Sequence, residues 1–172
     1  MKIVSAFLYE GTNCRYVENL NFVDFFNRSA VSELMHELVR AAVLGVDDMR
    51  KIYEHPPWQI VVLNFEERRF ALVTDNEYPV SVAFELLTKL SMEPILLYKI
   101  LEDCQDPRLI SPLFRLREQI DETVVIMHEN VDRILERGED LAELVEKSER
   151  LSANSKQFYK VARKHNRCCL IS

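Results

Sequence analysis

The chain has 172 residues, 48% of them hydrophobic, and a formal net charge of −6. That supports one modest core plus an extension, and the acidic balance without an aromatic-studded basic surface excludes a nucleic-acid binder. No apolar run reaches the ~20 residues that span a bilayer, and Met1-Lys2 leads into a strand-like segment, so no signal peptide is expected.

Residues 2–9, Lys-Ile-Val-Ser-Ala-Phe-Leu-Tyr, are rich in β-branched and aromatic side chains and predict a buried strand. Gly11 lies in the turn that follows, and residues 14–19 pair back as a hairpin. Residues 24–44 predict a helix: Leu34, Leu38 and Ala41 or Ala42 recur at helical spacing beside Val31 and Met35. Ser29 or Asn27 is placed to cap its start and Gly45 ends it. A short third strand is expected over 49–53, broken by His55-Pro56-Pro57. Two further strands, 58–65 and 69–74, join across Glu66-Glu67-Arg68. Pro79 opens a second helix that runs to about Met92, with Val82, Ala83, Leu86, Leu87 and Leu90 on one side. Pro94 restarts a shorter helix over 95–104, and Pro107 and Pro112 mark a hinge. The order β-β-α-β-β-β-α-α implies an antiparallel sheet with helices on its faces, an α+β domain.

Residues 113–165 read as one long amphipathic helix with a single charge at the centre of its apolar seam. Back from Arg137 the seam is Ile134, Asn130, Met127, Thr123, Ile120, Leu116 and Leu113. Forward it is Leu141, Leu144, Ser148, Leu151, Ser155, Phe158, Ala162 and His165. The steps alternate three and four, the period that keeps one helix face against partner helices in a coiled coil. A guanidinium on such a seam is costly unless its five donors are met. Glutamine carboxamides from facing helices are natural partners, and one polar layer fixes register and partner number. The plain alternative is an arginine that snorkels out of an ordinary helix pair. Asn130, Thr123, Ser148 and Ser155 bury little, and Gly138 costs about 1 kcal/mol against alanine. The helix is therefore expected to form fully only when partners complete it.

The charge is unevenly placed. Residues 1–110 carry the whole net charge of −6, and beyond Glu149 there are only bases: Arg150, Lys156, Lys160, Arg163, Lys164 and Arg167. The last three suit an anionic membrane surface, at about 1 kcal/mol each. Cys169-Leu170-Ile171-Ser172 fits the prenylation pattern, with the terminal serine favouring farnesyl, and Cys168 beside it is a candidate for reversible palmitoylation. One lipid chain binds marginally, whereas two, or one plus bases, hold firmly, which makes Cys168 a switch. The four cysteines, with Cys14 and Cys104, show neither metal spacing nor a disulfide framework, and a reducing cytosol is the simplest compartment. Gly11, Gly45 and Gly138 form no phosphate loop, which argues against a small GTPase. His36, His55, His128 and His165 are scattered, and no activated nucleophile is visible. No enzyme activity, metal or cofactor is expected beyond covalent farnesyl and palmitoyl groups.

Three segments carry a family resemblance. Asp75-Asn76-Glu77-Tyr78-Pro79 with Ala83-Phe84-Glu85-Leu86-Leu87, and Phe25-Phe26-Asn27-Arg28-Ser29, resemble the longin domain. Leu135-Glu136-Arg137-Gly138-Glu139 with its fifteen flanking seam positions resembles an R-SNARE motif. The ending over 162–172 is similar to that of the lipid-anchored longin R-SNAREs, the Ykt type of the synaptobrevin superfamily, and the combined match covers nearly the whole chain.

The resemblance implies a longin (profilin-like) domain over 1–106, with a five-stranded antiparallel sheet flanked by helices. It implies a hinge at 107–112, an R-SNARE coiled-coil motif over 113–167 and a lipidation tail at 168–172. It further implies intracellular vesicle-membrane fusion in ER–Golgi, intra-Golgi and endosomal or vacuolar transport. The seam would zip with three Q-SNARE helices (Qa, Qb, Qc), with Arg137 in the central ionic layer, and a disassembly ATPase with its adaptor would take the bundle apart. The protein would cycle between cytosol and the cytoplasmic face of Golgi, ER and endosomal membranes. In the family's closed form the SNARE segment folds back on the longin domain; here His36, Glu37 and Arg40 make part of the receiving surface more polar. The domain is also shorter than the family leads one to expect, between the second helix and Pro107. The competing function is a prenylated peripheral-membrane adaptor whose coiled coil binds partners without driving fusion.

Overall fold

The computed structural model describes residues 2–44, 50–55, 58–106, 127–130 and 141–168. They divide into two compact units, one drawn from Met1–Asn19 and Ala42–Val131, the other from Leu20–Ala41 and Asp132–Ser172.

The first unit is built on a sheet. Its strands are β1 (Ile3–Glu10), β2 (Asn13–Glu18), β3 (Arg50–His55), β4 (Trp58–Phe65), β5 (Arg68–Asp75) and β6 (Met127–Asn130). They lie side by side in the order β2-β1-β5-β4-β3-β6. The first five are antiparallel, the arrangement expected from the sequence. β1, β4 and β5 are interior, and their near-continuous apolar runs suit burial on both faces. β1 and β2 turn over through Gly11, whose φ of 61° lies in the left-handed region that glycine enters without penalty. In the β4–β5 hairpin Glu66 takes a left-handed φ of 54°, an uncommon state for a residue with a Cβ.

Helix α2 (Val80–Met92) starts just after Pro79, whose fixed φ suits an entry into helix. Its Val82, Ala83, Leu86, Leu87 and Leu90 share a core with Ile3, Ala6, Leu8, Val61, Phe70 and Leu72 of the sheet. The predicted helix over 95–104 is in fact a 3-10 turn, Pro94–Tyr98, followed by the short α3 (Ile100–Asp103). Side chains then fasten this end of the unit. Gln105 accepts from the Ile3 amide and donates to the Ile3 carbonyl, both at 3.0 Å, so it extends the β1 ladder by one rung. The Tyr78 hydroxyl donates to the Cys104 carbonyl at 2.9 Å, and Gln59 donates to the Tyr78 carbonyl at 2.8 Å.

The second unit contains most of α1 (Arg28–Leu44), α4 (Leu141–Lys147) and α5 (Ala153–Cys168). α1 begins at Arg28, later than expected, because Phe25–Asn27 form a 3-10 turn. The Arg28 guanidinium donates to the Val23 carbonyl at 3.0 Å and ties that turn to the helix.

One expectation is corrected outright. Residues 113–165 are not one continuous helix: Met127–Asn130 form a strand, and the helix further on is broken between Lys147 and Ala153. The break reverses the chain. Lys160 pairs with Glu146 at 2.8 Å, and Lys156 donates to the Glu146 carbonyl at 2.7 Å. In a continuous helix Glu146 and Lys160 would be about 21 Å apart along the axis, so α4 and α5 form a helical hairpin.

Candidate functional site

The seam is the candidate site, and the structure places its described positions in three local settings. Leu113, Leu116, Ile120, Thr123, Ile134, Arg137 and Cys169 lie outside the described residues. Met127 and Asn130 sit in β6, which pairs in parallel with β3: Lys51 with Met127, Ile52 with His128, Tyr53 with Glu129 and Glu54 with Asn130. This strand was not legible from helical spacing. Its physical reason is an open edge: β3 would otherwise end the sheet with unpaired amides and carbonyls, and a segment that is a poor helix alone is available to cover them.

Leu141 and Leu144 lie in α4, Ser148 and Leu151 in the turn, and Ser155, Phe158, Ala162 and His165 in α5. Leu151 is buried and Ser155 wholly so, while Leu144, Ser148, Phe158 and Ala162 are half-buried. α4 also buries Val145, one residue off the expected seam. Arg163, Lys164, Arg167 and Cys168 fall on the last turns of α5.

The turn is held by serines and carboxylates. Ser148 closes the last turn of α4, its amide donating to the Leu144 carbonyl at 3.0 Å. Ser152 is the N-cap of α5: its Oγ accepts from the Ser155 amide at 3.2 Å, and its carbonyl accepts the first helical bond, from Lys156 at 3.1 Å. Across from it stands Glu33 of α1. Glu33 Oε2 accepts from the Ser152 amide at 2.8 Å and from Ser155 Oγ at 2.7 Å. The Ser152 amide, chiefly, with the Ser155, Ser152 and Ser29 hydroxyls, holds this carboxyl below the usual glutamate range despite some burial. One turn along α1, Glu37 is buried and paired with Arg40. Burial pushes its carboxyl up, but the hydrogen bond and charge of Arg40, with Ser148 and Arg150, outweigh that and leave it lowered. The polar residues in the middle of α1 therefore receive the seam: Glu33 and Glu37 meet the serines that contribute least to an apolar seam.

Sequence reasoning passed over Glu33, Ser152 and Glu146. The available signal was weak: a serine three residues before another, with a helical pattern on either side, reads equally well as helix interior or as cap. Among the described residues no helix is long and apolar enough to cross a membrane, and no group of side chains could hold a metal ion.

The synaptobrevin family model matches residues 113–172. The synaptobrevin homolog YKT6 of Eremothecium gossypii is 33% identical over 200 aligned residues, which cover 99% of this chain and all of that relative. The chain belongs to the synaptobrevin family. Its likeness is to the Ykt type: synaptobrevin homolog YKT6 of Saccharomyces cerevisiae is 32% identical over 178 residues, 90% of this chain and 89% of the relative. The Candida glabrata homolog of the same name is 35% identical over 178 residues, 90% of this chain and 87% of the relative. As a synaptobrevin-family R-SNARE, the chain has a general role in vesicle fusion and partners among SNARE helices. Its sheet and flanking helices are those of a longin domain, with the SNARE segment following.

Proposed function

We propose that the protein drives fusion by zipping residues 113–167 with three Q-SNARE helices, Qa, Qb and Qc, and that its longin domain, residues 1–106, restrains that segment until it is released across a hinge at 107–112. Arg137 forms the ionic layer, and the other core layers are Leu113, Leu116, Ile120, Thr123, Met127, Asn130, Ile134, Leu141, Leu144, Ser148, Leu151, Ser155, Phe158, Ala162 and His165. Farnesyl on Cys169, palmitoyl on Cys168 and the bases Arg163, Lys164 and Arg167 attach the end of the segment to Golgi, ER or endosomal membranes from the cytosol. A disassembly ATPase and its adaptor recycle the bundle.

The observation that carries this reading is the single arginine flanked by fifteen seam positions at alternating three- and four-residue steps, within a chain of the synaptobrevin family. Restraint is supported by β6 on the edge of β3 and by Glu33 on Ser152 and Ser155, since each contact occupies residues of that seam. The test is reconstitution of the lipidated chain in vesicles against vesicles that bear three Q-SNARE helices. Lipid mixing with a detergent-resistant complex of four helices is expected. An adaptor would give neither.

A further inference from the structure

The bend at Ser148–Ser152 is the feature that neither the seam nor the family name explains. For the seam to run unbroken from Leu141 to His165, α4 and α5 must become one helix, and a continuous helix has no N-terminus at Ser152. The free amides at that point exist only in the bent chain. One of them, the Ser152 amide, is taken by the carboxylate of Glu33, and Ser155 Oγ, wholly buried, is taken by the same oxygen. An anion on the first turn of a helix is favourable through both the hydrogen bond and the helix dipole. Straightening would move the Ser152 amide onto the Ser148 carbonyl inside a helix and take from Glu33 the donors that Ser152 and Ser155 supply.

We propose that Glu33 is a cap supplied from α1 of the same chain, selective for the bent form, and that its release sets the rate at which α4 and α5 fuse into one helix and enter a bundle. Docking on α1 and bending are then one event: α1 does not merely cover the seam, it stabilises a helix end that the bundle has to erase. The Glu146–Lys160 pair and the Lys156 bond to the Glu146 carbonyl close the hairpin from its other side, but both sit in solvent and are weaker holds. This proposal rests on the bundle reading above for its kinetic half and on the structure alone for its conformational half.

The experiment uses the full chain with spin labels at Ala142 and Val161 and its four cysteines replaced by serine. In the hairpin the two labelled positions lie on neighbouring helices, about 10 Å apart at backbone level. In one straight helix they are roughly 28 Å apart. Glu33→Gln keeps the shape and loses the charged acceptor, and it is expected to shift the distance distribution toward the long value. It should also raise the rate of assembly with three Q-SNARE helices about tenfold or more, the scale of a hydrogen bond to a charged group. Glu33→Gln combined with Ser155→Ala should add less than the sum of the two, and Glu33→Asp should restore part of the short population. A distance distribution that Glu33→Gln leaves unchanged overturns the proposal. A distribution that shifts as expected, in a chain that assembles with no Q-SNARE helices in any variant, supports the cap and overturns the bundle reading.

Discussion

Glu33 and Glu37 titrate in a direction that decides when their contacts are present. Both carboxyls are held below the ordinary glutamate value of about 4.3. A group whose folded pKa is depressed contributes stability above its unfolded pKa and loses it as pH falls through the folded value. The contacts of Glu33 are thus whole at neutral and mildly acidic pH and fail only below the usual carboxylate range. Protection of the Ser152 amide from hydrogen exchange, corrected for the intrinsic rate, is expected to be flat from pH 7 to 5 and to fall beneath that, and Glu33→Gln should flatten the fall. A midpoint near neutrality would contradict the assignment. Glu37 is the more exacting neighbour, because it is buried and depends on Arg40, whose side chain is itself about a third exposed. Arg40→Ala leaves that carboxylate without its main partner. A loss of about 1–2 kcal/mol in chemical denaturation is expected, discounted for the exposure of Arg40.

At the scale of elements, the first five strands were legible and the conformation of the seam was not. β1, β4 and β5 are runs of β-branched and aromatic residues, and α2 carries its apolar residues at three- and four-residue steps between prolines; such segments have one good solution each. The seam has two. Residues 113–165 carry the pattern of a long helix, yet an isolated helix interrupted by Asn130, Thr123, Ser148 and Ser155 has little to hold it. The fold therefore uses Met127–Asn130 as an edge strand and Ser152 as a cap, choices that depend on β3 and Glu33, more than 70 residues away in sequence. No local spacing rule reaches that far. The pairing makes its own prediction. A chain ended after residue 112 lacks β6, so the amides of β3 that face it should lose exchange protection, while alternate β3 amides, bonded to β4, keep theirs. Uniform protection along β3 in the shortened chain would show that the edge is closed by something other than the seam.

For the whole molecule, the question is whether attachment, release and zipping are separate steps, and Arg137 divides them. Its side chain is far in sequence from the lipidation tail and from the Ser152 bend, so Arg137→Gln should leave membrane binding and the Ala142–Val161 distance unchanged. What it changes is the centre of the bundle: four carboxamides facing one another lose the five-donor fork that a buried guanidinium offers to three acceptors. Assembly should slow and the bundle should melt lower, and an arginine in place of glutamine at the facing position of one partner should restore both. Cys169→Ser gives the converse pattern, because a chain without its prenyl group lacks the first of the two anchoring signals and should stay in solution while its soluble segment still assembles. Lipid mixing would be lost in both variants for different reasons, which sedimentation with vesicles and melting of the soluble complex tell apart. If Arg137→Gln left assembly untouched, the charge would be snorkelling rather than forming a layer, and the same seam would then belong to an adaptor that holds partners without pulling membranes together.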